Sequence, residues 1–284
     1  MLKNLQAKAC LARKLCLGSI FEAGSGHPGG ALSAIDLLIY IFERLIYCAN
    51  QQTEDKFILS KGHAAPALYA VGSQYGLIKK SELKNLRKLG SPAQGHPHVG
   101  ALPWVETSTG SLGQGFSVAV GIALGFKHQK VLRNVYSLLG DGELQEGQVW
   151  EAAMSAAHYK LNNITAIIDY NKLQSDDYNK NIIGLEPLGE KWRSFGWHVI
   201  EIDGHNFSEI ENAFSECRIN RDAPSVIIAH TIKGKGVKFM EGVPAWHGSV
   251  RIQPNELRSA LTDLGANERE VNSFLDKSVW DIAS

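Results

Sequence analysis

The chain has 284 residues, 44% of them hydrophobic and 20% charged, with 29 Lys and Arg balancing 29 Asp and Glu. That composition suits a globular protein able to bury a sizeable core and excludes a disordered chain. A formal net charge of zero, with no basic run interleaved with aromatics, gives nucleic acid and anionic membranes no electrostatic handle.

In chain order, Leu5, Ala9, Ala12, Cys16 and Ser19 recur at helical spacing and predict a first helix with one narrow buried face. The loop Gly24-Ser-Gly-His-Pro-Gly-Gly30 leads into the most apolar segment, residues 31–45. Interrupted by Asp36, Glu43 and Arg44, this segment is too short to span a bilayer and is expected to be a buried helix. Lysines and an arginine are spread through residues 1–20, unlike a secretory signal, so a soluble cytoplasmic protein is expected. The four cysteines (Cys10, Cys16, Cys48 and Cys217) form no metal-like cluster and read as small core residues in a reducing compartment.

A short strand over 57–60 runs into Lys61-Gly-His63 and a helix from about residue 64, followed by a polar helix near 81–89. Residues 90–109 read as a long irregular stretch carrying Gly95-His96-Pro97 and Trp104, and a loop of that length is expected to line a site. Gly110-Ser111-Leu112-Gly-Gln-Gly115 opens a small-residue helix reaching about residue 126. Then come a strand at 135–139, Gly140-Asp141-Gly142, a helix at 148–159 and a strand at 164–169. Strands at 198–202 and 226–229 flank a helix at 208–217, and a helix-like tail covers 254–283. Strand, turn, helix and strand within about 35 residues make a right-handed parallel crossover the default. With no linker and no repeat, the expected fold class is α/β. It is one doubly wound, mainly parallel sheet with helices on both faces, a single domain over residues 1–284.

Ligands in such sheets collect beyond the carboxyl ends of the strands, where Asp141 and Asn171 would emerge side by side. One carboxylate and one amide suit a hard divalent cation, Mg²⁺ or Ca²⁺, which leaves positive charge for a diphosphate to satisfy. Gly140 permits a tight turn, and Gly142 would let phosphate approach the backbone and its N–H. The bland alternative is a simple Asp-Gly turn.

Of the ten histidines, His27, His63, His96, His205 and His247 sit beside glycine at expected loops or helix starts. Histidine moves protons near neutral pH, and its cation binds phosphate. None lies at metal-ligand spacing. His98, His128, His158, His198 and His230 lack such a setting and are read as ordinary surface or packing residues.

Gly24-Ser-Gly-His-Pro-Gly-Gly30, Leu59-Ser-Lys-Gly-His-Ala64, Gly95-His-Pro97, Thr109-Gly-Ser-Leu-Gly-Gln-Gly115, Leu139-Gly-Asp-Gly-Glu-Leu-Gln-Glu-Gly147, Asp169-Tyr-Asn171 and Trp246-His-Gly248 occur in the order found in transketolases. Over nearly its whole length the chain resembles that family's N-terminal domain, which binds thiamine diphosphate. The resemblance implies that Asp141, Asn171 and the backbone carbonyl of Leu173 ligate Mg²⁺, with Ca²⁺ possible. It implies cofactor contacts from His63, Gly110, Ser111, Leu112, Gly140, Asp141, Gly142, Glu143, Asn171, Lys233 and His247. His27, His63, His96 and His247 would be the catalytic histidines, facing sugar hydroxyls and passing protons. Lys61 falls where relatives place a basic residue near the cofactor, and for both Lys61 and Lys233 a solvated lysine is the alternative. Glu146 and Glu151 resemble acidic residues at a domain contact, or are ordinary first-turn carboxylates. His205 receives no role beyond a strand-end turn.

The reaction implied is transfer of a two-carbon glycolaldehyde unit from a phosphorylated ketose to an aldose. Full-length relatives continue into a domain that grips the pyrimidine ring and supplies an activating glutamate. This chain stops at Ser284. The expectation is a natural subunit of a split transketolase rather than a fragment. Its partner would be a C-terminal subunit carrying the pyrimidine-binding domain, in a heterotetramer with two copies of each chain. A dehydrogenase is disfavoured because no Gly-x-Gly-x-x-Gly follows a strand. Other readings are a related thiamine diphosphate enzyme for a different ketose phosphate, a 2-oxo acid dehydrogenase α-chain, or a non-catalytic cofactor-binding partner.

Overall fold

Five short apolar runs pair into one sheet in a computed structural model that describes residues 2–48, 51–175 and 177–281. The strands are β1 (Lys56–Leu59), β2 (Val135–Gly140), β3 (Ile164–Tyr170), β4 (His198–Asp203) and β5 (Ser225–His230). They are all parallel, in the order β1-β2-β3-β5-β4. Every residue of β2 and β3 is buried, as expected of strands covered on both faces. Successive side chains alternate between two hydrophobic layers. Leu138, Ile167 and Ile227 join one layer, and Leu139, Ile168 and Ile228 join the other.

The second layer is built on α4 (Gln114–His128), α5 (Gly147–His158) and α7 (Leu188–Ser194), around Phe116, Trp192 and Trp197. The first holds α1 (Leu2–Ala23), α2 (Pro28–Ile41), α3 (Ala65–Ser73) and α8 (Phe207–Ile219), with α9 (Pro254–Asp263) and α10 (Glu268–Leu275) outside them. The crossover β2–α5–β3 uses one face and β4–α8–β5 returns on the other, which makes the sheet doubly wound. Among the described residues, no helix is long and apolar enough to cross a membrane.

All 14 residues of α2 are buried, and Pro28 occupies its first turn, where a missing N–H costs nothing. The segment expected to be helical to residue 45 leaves the α form at Ile41 for a π turn, Phe42–Ile46. The expected faces of α1 are buried, but so is everything from Ala12 to Ile20, so the buried face is not narrow. Here α1 is covered from the outside as well: Phe274 and Trp280 crowd Gly18, and Arg13 and Lys14 are neutralised by Asp36 and Glu270. The polar helix expected near 81–89 is a 3-10 helix, Lys80–Asn85. Only Leu83 and Leu86 anchor this stretch, and a three-residue spacing fits the 3-10 repeat.

The tail is two helices and a 3-10 turn, Ser278–Trp280, and its last residues, 282–284, lie outside the described residues. Cys16 and Cys217 are buried free thiols and Cys10 is half-buried, while the side chain of Cys48 lies outside the described residues. Residues 172–197, left blank by sequence patterning, hold the strand pair Leu173–Gln174 and Asp177–Tyr178, α6 (Asn179–Ile182) and α7.

Candidate active site at the carboxyl end of the sheet

The carboxyl ends of four strands deliver the chemistry to one place. Lys61 follows β1, Gly140 and Asp141 close β2, Asn171 follows β3, and Lys233 follows β5. A cavity of about 370 Å³ opens between them. Its wall includes His27, His63, His96 and His247 as well as Gly110, Leu112, Gly142, Glu143 and Leu173. Ser111 is the exception among the expected contacts. It is exposed in the turn before α4 and does not join the wall.

Asp141 is 2% exposed and accepts the Gly142 N–H at 2.8 Å and the Lys172 N–H with its other oxygen. The Gly142 N–H is therefore already taken, contrary to the expectation that it would be free for phosphate. What Gly142 provides is space: a Cβ there would lie 3.0 Å from Cβ of Gln174. Burial, and then the nearby Asp169 carboxylate, push Asp141 up to about 6 despite those two N–H bonds. Asn171 turns its Oδ1 to the Leu173 N–H at 3.1 Å. The Leu173 carbonyl, the third expected metal oxygen, accepts from Lys233 Nζ at 2.7 Å.

Lys61 and Lys233 are each 1% exposed, which rules out solvated surface lysines. Lys61 pairs with Asp169 and donates to the Gly30 carbonyl at 2.9 Å. Asp169 also accepts from Ser33 at 2.7 Å and from Thr231, and although burial opposes ionisation, Lys61 holds it below the usual carboxylate range. Among the described residues Lys233 bonds neutral acceptors only, Leu173 O and His247 Nδ1, the latter at 2.5 Å. Burial lowers its ammonium to about 8; Asp141 opposes this shift and Lys61 adds to it. Glu143 is also buried, and its oxygens accept from Ser60, from the Gly113 N–H at 2.8 Å and from the Gly140 N–H at 3.0 Å. It ties β1, β2 and the start of α4 together at the cavity wall.

The rings of His27, His63 and His247 form a triangle with centroids 5.4, 6.0 and 5.5 Å apart. Burial lowers all three. Arg87 contributes next at His27, which falls to about 4; Lys61 does so at His63, and Lys233 at His247, which falls to about 3. His96, exposed at the mouth, is lowered by partial burial and by Arg87. These rings are neutral near pH 7. They can hold or pass protons, while the positive charge for a phosphate group resides on lysine rather than on histidine cations.

Of residues 90–109, His96 reaches the cavity, and much of the rest serves packing. Trp104 donates to the Leu77 carbonyl at 2.8 Å and meets Phe42 edge-on at 5.9 Å. The apolar hollow behind it holds about 20 Å³, room for little more than one water. His198 and His230 bond Glu216 and Glu201 at the surface, as their plain reading expected. Glu146 is exposed on the cavity wall at the start of α5, and Glu151 is exposed one turn on. Sequence reasoning missed Asp169, Gln145, Gln174 and Ser175, which form or support this wall. Gln145 and Gln174 bond each other through both amides.

A buried carboxylate with no ion pair among the described residues, an amide and a carbonyl fit a hard cation. No group of three or more His, Cys, Asp or Glu able to hold a metal occurs among the described residues. The buried Lys233 ammonium beside the carboxylate, amide and carbonyl fits an anion. A metal–diphosphate group meets both needs.

Comparison with known proteins agrees. Residues 5–274 match the transketolase thiamine diphosphate binding domain. The chain is 41% identical over 265 residues to the 6-deoxy-6-sulfo-D-fructose transketolase subunit SqwG of Clostridium sp. (strain MSTE9), covering 92% of this chain and 96% of that one. It is 36% identical over 252 residues to one of the subunits of the apulose-4-phosphate transketolase of Phocaeicola vulgatus, covering 87% and 89%. The solved transketolase of Campylobacter jejuni superposes with a TM-score of 0.85 at 28% identity, covering 98% of this chain but 48% of that one. The chain thus spans about half the length of the solved transketolase and nearly all of the two relatives named as subunits. It belongs to the transketolase family and corresponds to that family's thiamine diphosphate binding domain.

Proposed function

We propose that this chain, as one diphosphate-binding domain, is the N-terminal subunit of a two-chain transketolase. It would transfer a two-carbon unit from a phosphorylated or similarly anionic ketose to an aldose. The observation that carries this reading is the gathering, in one cavity, of a buried carboxylate, Asp141, with Asn171 and the Leu173 carbonyl beside a buried ammonium, Lys233. Mg²⁺ would be held by Asp141, Asn171 and the Leu173 carbonyl, and Lys233, His63 and His247 would meet the diphosphate. Gly110 and Leu112 would lie against the rings. Bound thiamine diphosphate supplies the electron sink needed to cleave the carbon–carbon bond beside a ketose carbonyl. His27 and His96 would hold the sugar hydroxyls, and the neutral rings of His63 and His247 would accept or return protons there.

The partner in this reading is a C-terminal transketolase chain with the pyrimidine-binding domain, in a two-fold assembly with two copies of each. A cytoplasmic location belongs to the same reading, in keeping with the free thiols of Cys10, Cys16 and Cys217.

Calorimetry with thiamine diphosphate and Mg²⁺ on the purified chain, alone and mixed with the polypeptide encoded beside it, tests the site. Asp141→Ala should abolish the Mg²⁺-dependent part of binding while the far-UV spectrum stays unchanged. Undiminished binding would mean that the metal assignment is wrong. Turnover should need both chains, and robust activity of this chain alone would overturn the two-chain reading. The two length-matched relatives are named for 6-deoxy-6-sulfo-D-fructose and apulose-4-phosphate, so the donor panel should include a sulfonated and a phosphorylated sugar.

A further inference from the structure

His205, after Gly204, joins Arg13 and Asp36 in a polar cluster whose side chains are each at most 10% exposed. From α1, Arg13 donates to Asp36 through Nη1 at 3.0 Å and Nη2 at 2.6 Å. Asp36 lies on α2, the helix that His27 precedes. Nδ1 of His205 is 2.6 Å from Asp36 Oδ2, and Nε2 of His205 accepts the backbone N–H of Ile232 at 2.9 Å. Because Nε2 accepts, the ring proton is on Nδ1 and is donated to Asp36. Arg13 Nε donates in turn to the Lys235 carbonyl at 3.1 Å.

The cluster thus grips the N–H of the residue before Lys233 and the carbonyl two residues after it. Between the grips, Gly234 is left-handed at φ 80°, and a Cβ there would collide with the Met240 carbonyl. Its N–H bonds the Gly29 carbonyl at 3.0 Å, and the Lys233 carbonyl accepts from Gly242 at 2.9 Å. The loop has little freedom: His205 and Arg13 hold its backbone at Ile232 and Lys235, Glu241 accepts the Gly236 N–H at 2.9 Å, and the Thr231 hydroxyl bonds Asp169.

We propose that the Asp36–His205 pair, braced by Arg13, is a positioning device for Lys233. It sets the height of the loop over residues 231–236 above the end of β5. That fixes the Lys233 ammonium against Leu173 O and His247 Nδ1. The seating is a property of this chain's own side chains. Its consequence for catalysis rests on the reading of Lys233 as a diphosphate contact.

His205 is the residue to change, because Arg13 then keeps its two-pronged hold on Asp36. Removing Asp36 instead would leave Arg13 buried without a counter-charge and endanger the fold. Phenylalanine keeps a flat aromatic ring, somewhat larger than imidazole, and loses both bonds. Glutamine can donate to Asp36 and accept from Ile232 through one amide. Brief acetylation of the purified chain, read lysine by lysine by mass spectrometry, reports where Lys233 sits. Lys61 is the control, since it lies on the same cavity with the same exposure but follows β1.

In His205→Phe, Lys233 should be acetylated about tenfold faster than in wild type, with Lys61 unchanged, and His205→Gln should stay within about twofold of wild type. Unchanged Lys233 labelling in His205→Phe overturns the proposal. So does an equal rise at Lys61, which would mean general loosening, and so does a His205→Gln chain as labile as His205→Phe. A Lys233→Met chain separates the two ideas. Undiminished thiamine diphosphate binding there would remove Lys233 from the cofactor site, while the labelling result would still decide the seating.

Discussion

Lys61 and Lys233 begin alike and end differently. Each follows a strand of the sheet, each is 1% exposed, and each contributes to the same cavity wall. Lys61 has its counter-charge inside the protein: Asp169 on β3, itself held by Ser33 and Thr231. Lys233 rests on a carbonyl and a neutral imidazole, and its ammonium is depressed to about 8. A buried cation paired internally works as a strut between strands. One supported only by neutral acceptors is a charge kept for something that arrives later. The difference lies in the partners, since residue type and burial are the same.

Removing the strut should have the largest effect. Lys61→Met leaves Asp169 buried at 0% exposure without its cation, a change that typically costs about 3–5 kcal/mol. Urea unfolding would show this as a fall in the midpoint. Lys233→Met removes a charge that burial already disfavours and should cost about 1 kcal/mol or less. Equal losses in the two variants would break the distinction between them.

Cofactor affinity should then reverse the ranking for Lys233. A charge-assisted hydrogen bond contributes about 1.5–3 kcal/mol, so Lys233→Met should weaken thiamine diphosphate binding by roughly 10- to 100-fold in calorimetry. Affinity within twofold of wild type would leave Lys233 as a second strut.

How much of this was legible in the sequence depended on how many reasons a residue has to be where it is. Asp141, Asn171 and four of the glycine-flanked histidines stand at strand ends and loops, where little besides function selects those types, and they reach the cavity wall. The burial of Lys61 and Lys233 was not legible, because lysine is nearly always solvated and only a long-range partner reveals otherwise. Lys61 and Asp169 are 108 positions apart, and Asp36 and His205 are 169 apart. No local pattern encodes such pairs. The main strands and α2 were readable from apolar runs. The pieces over 172–197 were not, since strands of two residues and a helix of four show no period.

The alkaline limb of stability isolates the Lys233 charge without any ligand. Its folded value, about 8, lies below the ordinary 10.5. Between those values the unfolded chain holds a proton that the folded chain has released, so stability rises with pH across that window. The slope from one such group is at most about 1.4 kcal/mol per pH unit. It should be present in wild type and absent in Lys233→Met. Buried Cys16 and Cys217 pull stability the other way in both chains, so the readout is the difference between them, and no difference in slope from pH 8 to about 10 would mean that Lys233 keeps its proton in the folded chain.

The smallest effect expected is at Gly142, and it separates space from bonding on the ligand side of the site. A Cβ there would meet Cβ of Gln174 at 3.0 Å and its Oε1 at 3.2 Å. Rotating the Gln174 side chain relieves the Oε1 contact at the expense of its paired bonds with Gln145, but Cβ stays with the backbone, which must yield by a few tenths of an ångström. Gly142→Ala should therefore cost about 1 kcal/mol of stability, the net contribution of a half-buried neutral amide pair. The Gly142 N–H would still bond Asp141, so the metal-holding carboxylate keeps its orientation. Thiamine diphosphate affinity should nonetheless fall, because the displaced Gln174 side chain and the new methyl enter the wall that a diphosphate must approach. If Gly142→Ala binds thiamine diphosphate as tightly as wild type, the diphosphate does not lie against Gly142, and the anion must be held by Lys233 and the histidines without it.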